Sequence, residues 1–593
     1  MSVINENLLK LQKLMKEKNI SLYVIPTSDN HSSEYISDYF KSREFMSGFT
    51  GSAGTLLVSL TNAYLFVDGR YFIQAENQIN GTNITLEKIG EPNVPSINEL
   101  IKSLLKEGDN IGFDGNVLPY YEAKNYIDLV NYVGGHVVSI DLINNVWEKR
   151  PPLPNGKIFI LDIKYAGKES KNKIEDIRKE MIAKNAKYNV ITSLDDIAWI
   201  LNLRGNDISY NPVFLSYLVI GEKTIDLFID KSKIDLDVAT YLKVNKINVH
   251  DYYEIINFVK LIKEPILLDY QKVNYEIVSN IKANIINSYN PSLLMKSIKN
   301  PVEISNQKKC LIKDGVAMTK FMYWLKNNIG IIPITEISAQ NKLYKLREEQ
   351  EHYIEPSFNT ICAYKSHAAM MHYSATKESD VPLTNEGMLL VDSGGQYLEG
   401  TTDITRTFVL GEISKAEKHH FTLVLESSLN LMRVVFLHGC TGISLDLAAR
   451  EPIWREFLDY KCGTGHGVGF LLNVHEAPNG FRYKIVPERN DSHVLEPGMI
   501  TTDEPGIYLE NEYGIRHENE LLCKEIMTNN QGTFLGFENI TMCPIDIDGI
   551  DPKELSKENR EYLNNYHKKV YKTIKPFLTK EEARWLRKYT RKI

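Results

Sequence analysis

The stretch from Cys462 to Pro478 contains the residue types of a catalytic or metal site; it reads CGTGHGVGFLLNVHEAP. Four glycines surround one histidine, His466, and glycine lets a backbone approach closely and adopt positive φ. A second histidine, His475, follows nine residues later. Two histidines this close, one of them within a glycine frame, predict a metal or acid–base site. On this stretch alone, a tight turn with two incidental histidines stays open as an equal alternative.

Two aspartates upstream add carboxylate chemistry. The segment MLLVDSGGQYLEGTTDITRTFVLG predicts two strands joined by a loop, with Asp392 ending the first strand and Asp403 in the second. If the strands pair antiparallel about the loop centre, the two side chains face each other with Cβ atoms about 5 Å apart. Facing carboxylates repel unless a cation or a shared proton lies between them. The alternative, two solvated aspartates, is disfavoured because Asp392 follows the apolar run Met388 to Val391.

Two glutamates downstream complete a set of candidate ligands. Glu504 lies in MITTDEPGIYL, and the alternation of GIRHENELL places Arg516 and Glu518 on one strand face. Four carboxylates and one imidazole suit two divalent ions, most naturally Mn²⁺, with Co²⁺ or Zn²⁺ as alternatives. Two ions about 3.5–4 Å apart need bridging carboxylates, which this set contains. The predicted ligands are Asp392, Asp403, His466, Glu504 and Glu518.

Length, composition and charge limit the classes of function. A chain of 593 residues is too long for one core and predicts two to four domains. Its net charge of -7 argues against nucleic-acid binding, and no apolar run approaches the ~20 residues that span a bilayer. The N-terminus predicts a polar amphipathic helix without a signal-peptide core, and all six cysteines lie at or after Cys310 without a CxxC pair. We therefore expect a cytoplasmic protein without nucleic-acid or membrane partners.

The first half of the chain contains an internal repeat. A helix ending in MKEKN precedes the strand SLYVIPTSD, and a helix ending in MIAKN precedes the strand KYNVITSLD. Each strand is followed by a strand hairpin that ends in LFVD or LFID. The pattern predicts two tandem α/β domains of similar fold, 1–155 and 156–297, joined by the proline-rich stretch EKRPPLPNGK.

An α+β domain that carries the candidate ligands is expected at 298–545. It opens with NPVE at positions 300–303, which predicts an N-cap, a proline at the first helical position and a glutamate at the third. Apolar residues then recur at helical spacing as far as Leu325. A C-terminal helical extension at 546–593, with Leu563 on the apolar side of one helix, is expected to pack on this domain.

The order of these motifs resembles a known enzyme family. D-x10-D, GTGHGVGxxLNVHE, TDEPG and GIRxEN follow one another as in the metallopeptidases of the pita-bread fold. Within that fold the chain closely resembles the three-domain Xaa-Pro aminopeptidases, because NPVFLSY, DGRYF and YLNNYH fit the same family and extend the likeness over nearly the whole chain. The resemblance implies two tandem creatinase-N-like α/β domains followed by a C-terminal pita-bread catalytic domain, a multidomain combination of α/β and α+β folds.

The resemblance also implies a role for each predicted ligand. Asp403 and Glu518 would bridge the two ions, and Asp392 would hold one of them. His466 and Glu504 would hold the other. A hydroxide that bridges the ions would attack the carbonyl carbon of the first substrate residue. Glu504 would act as the proton shuttle of this reaction.

Three further residues correspond to family positions that contact the substrate. His372, in AMMHYSA, corresponds to a histidine near the scissile proline peptide. His475 corresponds to one that contacts the substrate carbonyl or the intermediate, and Arg516 to the arginine beside the last ligand. One position departs from the family, because many members read HGTGHG where this chain has Cys462. A thiol titrates near ~8.5 and does not replace an imidazole at neutral pH.

The function implied is a metal-dependent aminopeptidase that releases the N-terminal residue from peptides with proline in the second position. An Xaa-Pro dipeptidase (prolidase) with the same ligands is the nearest alternative, and two full N-terminal domains favour the aminopeptidase. A non-catalytic pita-bread module that binds peptides is an alternative of another class, disfavoured because all five ligands are present. The resemblance further implies a homodimer.

Overall fold

The structure is a computed structural model that describes residues 2–593. The chain divides into two compact units. The first holds the residues up to Leu161 together with Glu169–Ser292, and the second holds Asp162–Lys168 and Leu293–Ile593. Within residues 2–593, no helix combines the length and the apolar composition that crossing a membrane requires. The boundaries 1–155, 156–297, 298–545 and 546–593 stay predictions.

The first unit opens with a six-stranded sheet in the order β4-β3-β2-β1-β5-β6. Its elements are α1 (Val3–Glu17), β1 (Leu22–Pro26), α2 (Ser42–Ser47), β2 (Thr55–Ser59), β3 (Ala63–Val67), α3 (Phe72–Gln78), β4 (Ile84–Lys88), α4 (Ile97–Leu104), β5 (Ile111–Phe113), α5 (Tyr120–Tyr132) and β6 (Val137–Ser139). Side chains alternate across a strand, so both faces of β1 need cover. Leu11 and Met15 of α1 pack with Ile25 on one face, while Val130 of α5 shares a cluster with Val24 on the other.

The same architecture recurs further along the chain. The elements are β7 (Phe159–Ile160), α6 (Ile163–Ala166), α7 (Ser170–Ala183), β8 (Tyr188–Ile191), α8 (Leu194–Leu201), β9 (Leu203–Arg204), β10 (Ser216–Gly221), β11 (Ile225–Ile229), α9 (Leu236–Val244), β12 (Asn248–His250), α10 (Ile255–Val259), β13 (Ile266–Leu268), α11 (Tyr275–Asn280), β14 (Ile285–Asn287) and α12 (Pro291–Ser297). The second sheet has the order β12-β11-β10-β8-β13-β14. Strand for strand it matches the first sheet, including the antiparallel hairpins β2–β3 and β10–β11. The predicted tandem repeat is confirmed.

The second unit contains six long helices and short, mostly antiparallel sheets. Its helices are α13 (Pro301–Asn328), α14 (Glu336–Glu348), α15 (Lys415–Met432), α16 (Gly442–Arg455), α17 (Lys557–Ile574) and α18 (Lys580–Tyr589). Its strands are β15 (Tyr353–Pro356), β16 (Ile361–Tyr364), β17 (Met388–Ser393), β18 (Gly395–Tyr397), β19 (Gly400–Thr401), β20 (Ile404–Val409), β21 (Val435–Leu437), β22 (Gly465–Gly467), β23 (Glu476–Phe481), β24 (Ile500–Asp503), β25 (Gly506–Leu509), β26 (Tyr513–Arg516), β27 (Asn519–Asn529) and β28 (Gly532–Asn539).

Helix α13 begins as its sequence predicts. Asn300 is the N-cap, Pro301 is the first helical residue, and Asn300 and Glu303 form a reciprocal capping box. Phe321 and Leu325 lie in the core of this unit. The apolar side of α17 is also confirmed, because Leu563 is fully buried in the same core. These helices enclose the sheets that carry the candidate ligands.

The predicted pairing of the two aspartates needs a correction. Strand β17 does pair antiparallel with β20, but Asp392 lies opposite Thr405, and Asp403 precedes β20 instead of lying within it. The connecting loop is not a simple turn, since β18 and β19 form a hairpin within it and β18 pairs with β15. The partner of Asp392 is therefore two residues further along the chain than predicted, which keeps the two aspartates on the same side of the sheet because the strand period is also two.

Candidate metal centre

The five predicted ligands come from five separate places in the second unit. Asp392 lies near the end of β17, and Asp403 comes directly before β20. His466 is the middle residue of β22, and Glu504 follows the last residue of β24. Glu518 lies in the short break between β26 and β27, so the predicted continuous strand GIRHENELL is interrupted there.

The structure brings the central members of this set together. His466 Nε2 lies 3.4 Å from Asp403 Oδ2 and 3.4 Å from Glu504 Oε1. Ligand atoms of Asp403, His466 and Glu518 all lie within 4.8 Å of one another. Such a cluster of one imidazole and several carboxylates has the donor chemistry of a site for borderline divalent ions.

Unsatisfied carboxylate oxygens support the same interpretation. Asp392 Oδ1 and Asp403 Oδ1 are buried, and neither has a hydrogen-bond partner. A buried charged oxygen without a partner is costly. Because both oxygens belong to predicted ligands, a bound cation is the partner that fits them. The residues present therefore fit a centre for divalent ions.

The pKa values reflect the crowding of charge. Burial, with the charges of Asp403 and Glu504, raises the pKa of Asp392 to about 6 although Arg516 opposes the shift. Burial also raises the pKa of the Glu518 carboxyl well above its ordinary value, and the neighbouring carboxylates add to this. Burial alone would lower the pKa of His466, but its contacts with Asp403 and Glu504 raise it to about 9. Without a cation, this site retains protons.

The glycine frame around His466 acts through close approach of the backbone. A Cβ on Gly465 would lie 1.9 Å from the carbonyl oxygen of Thr502, and one on Gly467 would lie 2.3 Å from that of Glu476. None of the four glycines has positive φ, so that part of the expectation is wrong. Strand β22 can therefore lie between β23 and β24 only because it lacks side chains at these positions. His466 Nδ1 meets the carbonyl oxygen of Gly467 at 2.9 Å, which leaves Nε2 for the site.

Two arginine side chains help to hold Asp392 and Glu518 in place. Arg516 donates to Asp392 Oδ2 at 2.6 Å and to Thr405 Oγ1 at 3.0 Å. Thr405 Oγ1 in turn donates to Glu518 Oε2 at 2.8 Å. Arg406, which is fully buried, donates to the backbone oxygen of Glu518 at 2.6 Å. The role of Arg516 in substrate binding stays a prediction.

The two histidines predicted to contact substrate lie in different settings. The His475 ring packs edge-on against the His466 ring, with centroids 4.3 Å apart. His372 is exposed in a turn that follows the 3-10 helix Lys365–Ala369. That helix packs on β26, where a Cβ on Gly514 would meet the carbonyl oxygen of Ala368 at 1.8 Å. His475 therefore adjoins the candidate ligands, while His372 belongs to a segment packed beside the strand that ends at Arg516.

Cys462 is a half-buried neutral thiol. Burial raises its pKa to about 11, and the charge of Glu504 adds to the shift. The backbone oxygen of Cys462 accepts a hydrogen bond from Arg450 at 3.0 Å. At neutral pH this position therefore offers a small polarizable side chain in place of an imidazole.

Sequence reasoning missed two groups that support the site. Glu520 is fully buried and accepts a hydrogen bond from the backbone N–H of Asp403. Lys299 and Lys296 both pair with Glu476, the residue after His475. The signal for Glu520 is its place two residues after Glu518 in the segment GIRHENELL, where a continuous strand would put both side chains on one face. No local pattern linked Lys299 to Glu476, because the two lie far apart in sequence.

Comparison with known families adds independent information. Residues 8–144 and 149–303 each match the creatinase/prolidase N-terminal domain. Residues 305–525 match metallopeptidase family M24, and residues 533–593 match the C-terminal region of peptidase M24. A probable Xaa-Pro aminopeptidase P of Ajellomyces capsulatus is 36% identical over 616 residues, covering 99% of each chain. This chain belongs to the Xaa-Pro aminopeptidases of metallopeptidase family M24.

Two further relatives also match this chain over nearly its whole length. A probable Xaa-Pro aminopeptidase P of Talaromyces marneffei is 37% identical, covering 99% of this chain and 92% of the relative. The X-prolyl aminopeptidase of Caenorhabditis elegans, described as a cytosolic enzyme with a di-nuclear active site, matches with a TM-score of 0.95 and 32% identity over 100% of both chains. The resemblance and the fold class inferred from the sequence are confirmed. An Xaa-Pro dipeptidase from Bacillus anthracis covers only 64% of this chain, at 23% identity and a TM-score of 0.51, and shows the fold alone.

Metal binding should release protons. At pH 7 the His466 imidazole, with its pKa raised to about 9, carries a proton that a metal must displace. We expect Mn²⁺ to release at least about one proton per protein at pH 7 and to bind more tightly at pH 8 than at pH 6. Calorimetric titration of metal-free protein in buffers of different ionisation enthalpy measures both quantities. Binding without proton release, with an affinity independent of pH, would contradict this electrostatic account.

Proposed function

We propose that this protein is a metal-dependent aminopeptidase that removes the first residue from peptides with proline in the second position. The observation that carries the proposal is the cluster of Asp403, His466 and Glu518, with buried carboxylate oxygens left unsatisfied beside it. Likeness over the full length of an X-prolyl aminopeptidase supports the substrate class. Peptides with an N-terminal Xaa-Pro sequence are then its partners.

The cofactor proposed is a pair of divalent ions, most naturally Mn²⁺. By the family resemblance, Asp403 and Glu518 would bridge the ions, and one ligand atom from each lies within 4.8 Å of a ligand atom of His466. Asp392 would hold one ion, and His466 with Glu504 would hold the other. Two such ions supply a water with a lowered pKa and polarise the substrate carbonyl. The carboxyl groups of Asp392 and Glu518, whose pKa values burial raises, would be held ionised by this positive charge.

Glu504 is the residue proposed to move the proton. Its side chain is 22% exposed, as is that of His466, whereas Asp403 is 4% exposed. A carboxylate at the open edge of the site can accept a proton from water and deliver it to the leaving nitrogen. Its backbone N–H donates to the backbone oxygen of Thr464 at 2.8 Å, which fixes the residue beside the glycine frame.

Three residues are proposed to bind substrate. His475, which packs edge-on against His466, would contact the scissile carbonyl and stabilise its developing negative charge. His372 would lie near the prolyl ring of the substrate. Arg516, which is close to the last ligand Glu518 in the sequence and donates to Asp392, would also contact the substrate. A prolyl nitrogen has no N–H, so shape around the ring must supply the specificity. The free substrate amine would be met by the acidic groups, which limits cleavage to N-termini.

A cytoplasmic location and a homodimeric assembly are also proposed. A cytoplasmic location is supported by the cysteine pattern and by the C. elegans relative, which is described as cytosolic. A homodimer is proposed from the family resemblance. Sedimentation equilibrium of the purified protein measures the assembly directly, and a mass of 68.0 kDa would be that of the single chain.

Replacing Glu504 by glutamine tests the proposed proton transfer. The variant Glu504→Gln keeps the shape of the side chain but cannot accept a proton, so kcat should fall by roughly 10²–10⁴-fold. Glu510→Gln is the matched control, because Glu510 is exposed in the turn between β25 and β26 and should leave kcat unchanged. Metal content is measured on the same samples. A Glu504→Gln variant that retains the wild-type rate with full metal would exclude this role.

Hydrolysis of Arg-Pro-Pro separates the candidate functions. Metal-stripped protein should release free arginine only after Mn²⁺ is added, because the nucleophile depends on the metal. The product is measured by chromatography, with Ala-Pro as a parallel substrate. A dipeptidase would cleave Ala-Pro and leave Arg-Pro-Pro intact. Cleavage of neither peptide by protein that has bound Mn²⁺ would support the peptide-binding alternative instead.

A further inference from the structure

We propose that Glu520 is a positioning residue for Asp403, held in place by Gln307 of helix α13. The proposal rests on the metal-dependent function proposed above, because Asp403 is there a bridging ligand. Glu520 itself is not a ligand in that scheme. It would act by fixing the backbone from which the Asp403 carboxylate projects.

The contacts of Glu520 are directed at the site and at α13. One carboxylate oxygen, Oε1, accepts the backbone N–H of Asp403 at 3.0 Å. The other, Oε2, accepts the side-chain amide of Gln307 at 2.9 Å. The backbone N–H of Glu520 donates to Thr541 Oγ1 at 2.8 Å, and the residue pairs with Thr502 across β24. Glu520 is therefore fixed at both its backbone and its side chain.

Asp403 depends on this contact because little else in the protein holds it. Its Oδ2 contacts His466, and its Oδ1 has no hydrogen-bond partner. The residue lies between β19 and β20, where no strand partner accepts its backbone N–H. A buried N–H without an acceptor costs about 1–3 kcal/mol, so the segment would shift toward another acceptor if Glu520 were lost. The position of the carboxylate thus follows from the position of the backbone.

Gln307 fixes the same segment from the other side. It is 1% exposed, and its side-chain amide donates both to Glu520 and to the backbone oxygen of Thr401. Its side-chain oxygen accepts the backbone N–H of Thr401 at 3.3 Å. One side chain from the rigid helix α13 therefore connects the strand before Asp403 to the acceptor that holds Asp403.

The chemistry of Glu520 is unusual for a purely structural position. It is fully buried, and no lysine, arginine or histidine within residues 2–593 forms an ion pair with it. An apolar side chain would fill the same space without the cost of burying a carboxyl group. The requirement for an acceptor opposite the Asp403 N–H explains why a carboxyl group stands there.

The test compares two substitutions of one residue. Glu520→Val removes the acceptor, and we expect its Kd for Mn²⁺ to rise about 10–100-fold, the loss typical of groups that orient a metal ligand. Glu520→Gln keeps Oε1 as an acceptor for the Asp403 N–H but replaces Oε2, which accepts from Gln307, by a donor, so it should restore most but not all of the affinity. Titration calorimetry measures the Kd, and the visible absorption spectrum of the Co²⁺-loaded proteins reports the ligand geometry. The Glu520→Val spectrum should differ from wild type, and the Glu520→Gln spectrum should match it.

Asp546→Ala is the matched control. Asp546 is 1% exposed and accepts the backbone N–H of Val409 at 2.9 Å, at the opposite end of β20 from Asp403. Its loss should lower the melting temperature without changing the Kd for Mn²⁺ or the Co²⁺ spectrum. If Asp546→Ala weakened Mn²⁺ binding as much as Glu520→Val, the effect would be general loosening of the fold and the proposal would be overturned.

Other outcomes separate this proposal from the proposed function. Wild-type protein that binds no Mn²⁺ would overturn the metal-dependent function itself. Wild-type binding with an unchanged Kd in Glu520→Val would overturn only the role of Glu520, and equal losses in Glu520→Val and Glu520→Gln would overturn the acceptor argument.

If Glu520→Val does not fold, Gln307→Leu provides the second variant. It leaves the Asp403 contact in place but removes its support, so a smaller rise in Kd is expected and an unchanged Kd would contradict the proposal.

Discussion

Mutual repulsion among buried carboxylates is the constraint on which this structure depends. Asp392 and Glu518 lie among the charges of Asp403 and Glu504, and burial disfavours the charged forms of both Asp392 and Glu518. Arg516 offsets part of this through its contact with Asp392. In the metal-free protein, bound protons relieve the rest of the repulsion between the carboxylates. Divalent ions would replace these protons and attract the carboxylates more strongly. The same repulsion that opposes folding of the metal-free protein would favour the binding of divalent cations.

The surrounding fold holds these groups together against that repulsion. Glycines let β22 lie against its neighbours closely enough for His466 to reach Asp403. Arg406 ties the Glu518 backbone to Cys543 and to the hydroxyl of Tyr566 on α17. Helix α17 therefore supports the Glu518 backbone through the Tyr566 hydroxyl and Arg406, although it contributes none of the predicted ligands. Rigidity at this level is what a site for two closely spaced ions requires.

Much of the site was predictable because residue types at fixed spacings in the sequence indicate its chemistry. The glycine frame, the cap at Asn300 and the repeated helix–strand units all depend on neighbours within a few residues. The pairing of Asp392 was not predictable, because the β18–β19 hairpin within the loop is stabilised by β15, which lies far away in sequence. The support from Gln307 to Glu520 escaped prediction for the same reason: 213 residues separate the two partners. Local patterns identify the groups that do chemistry, while tertiary contacts decide which other groups orient them.

The most direct test of the central claim is the anomalous X-ray scattering of crystals soaked in Mn²⁺. The account predicts two anomalous peaks about 3.5–4 Å apart. Asp403 and Glu518 should contact both peaks, Asp392 should contact one, and His466 with Glu504 should contact the other. A single peak, or two peaks that share neither Asp403 nor Glu518, would contradict the dinuclear centre proposed here.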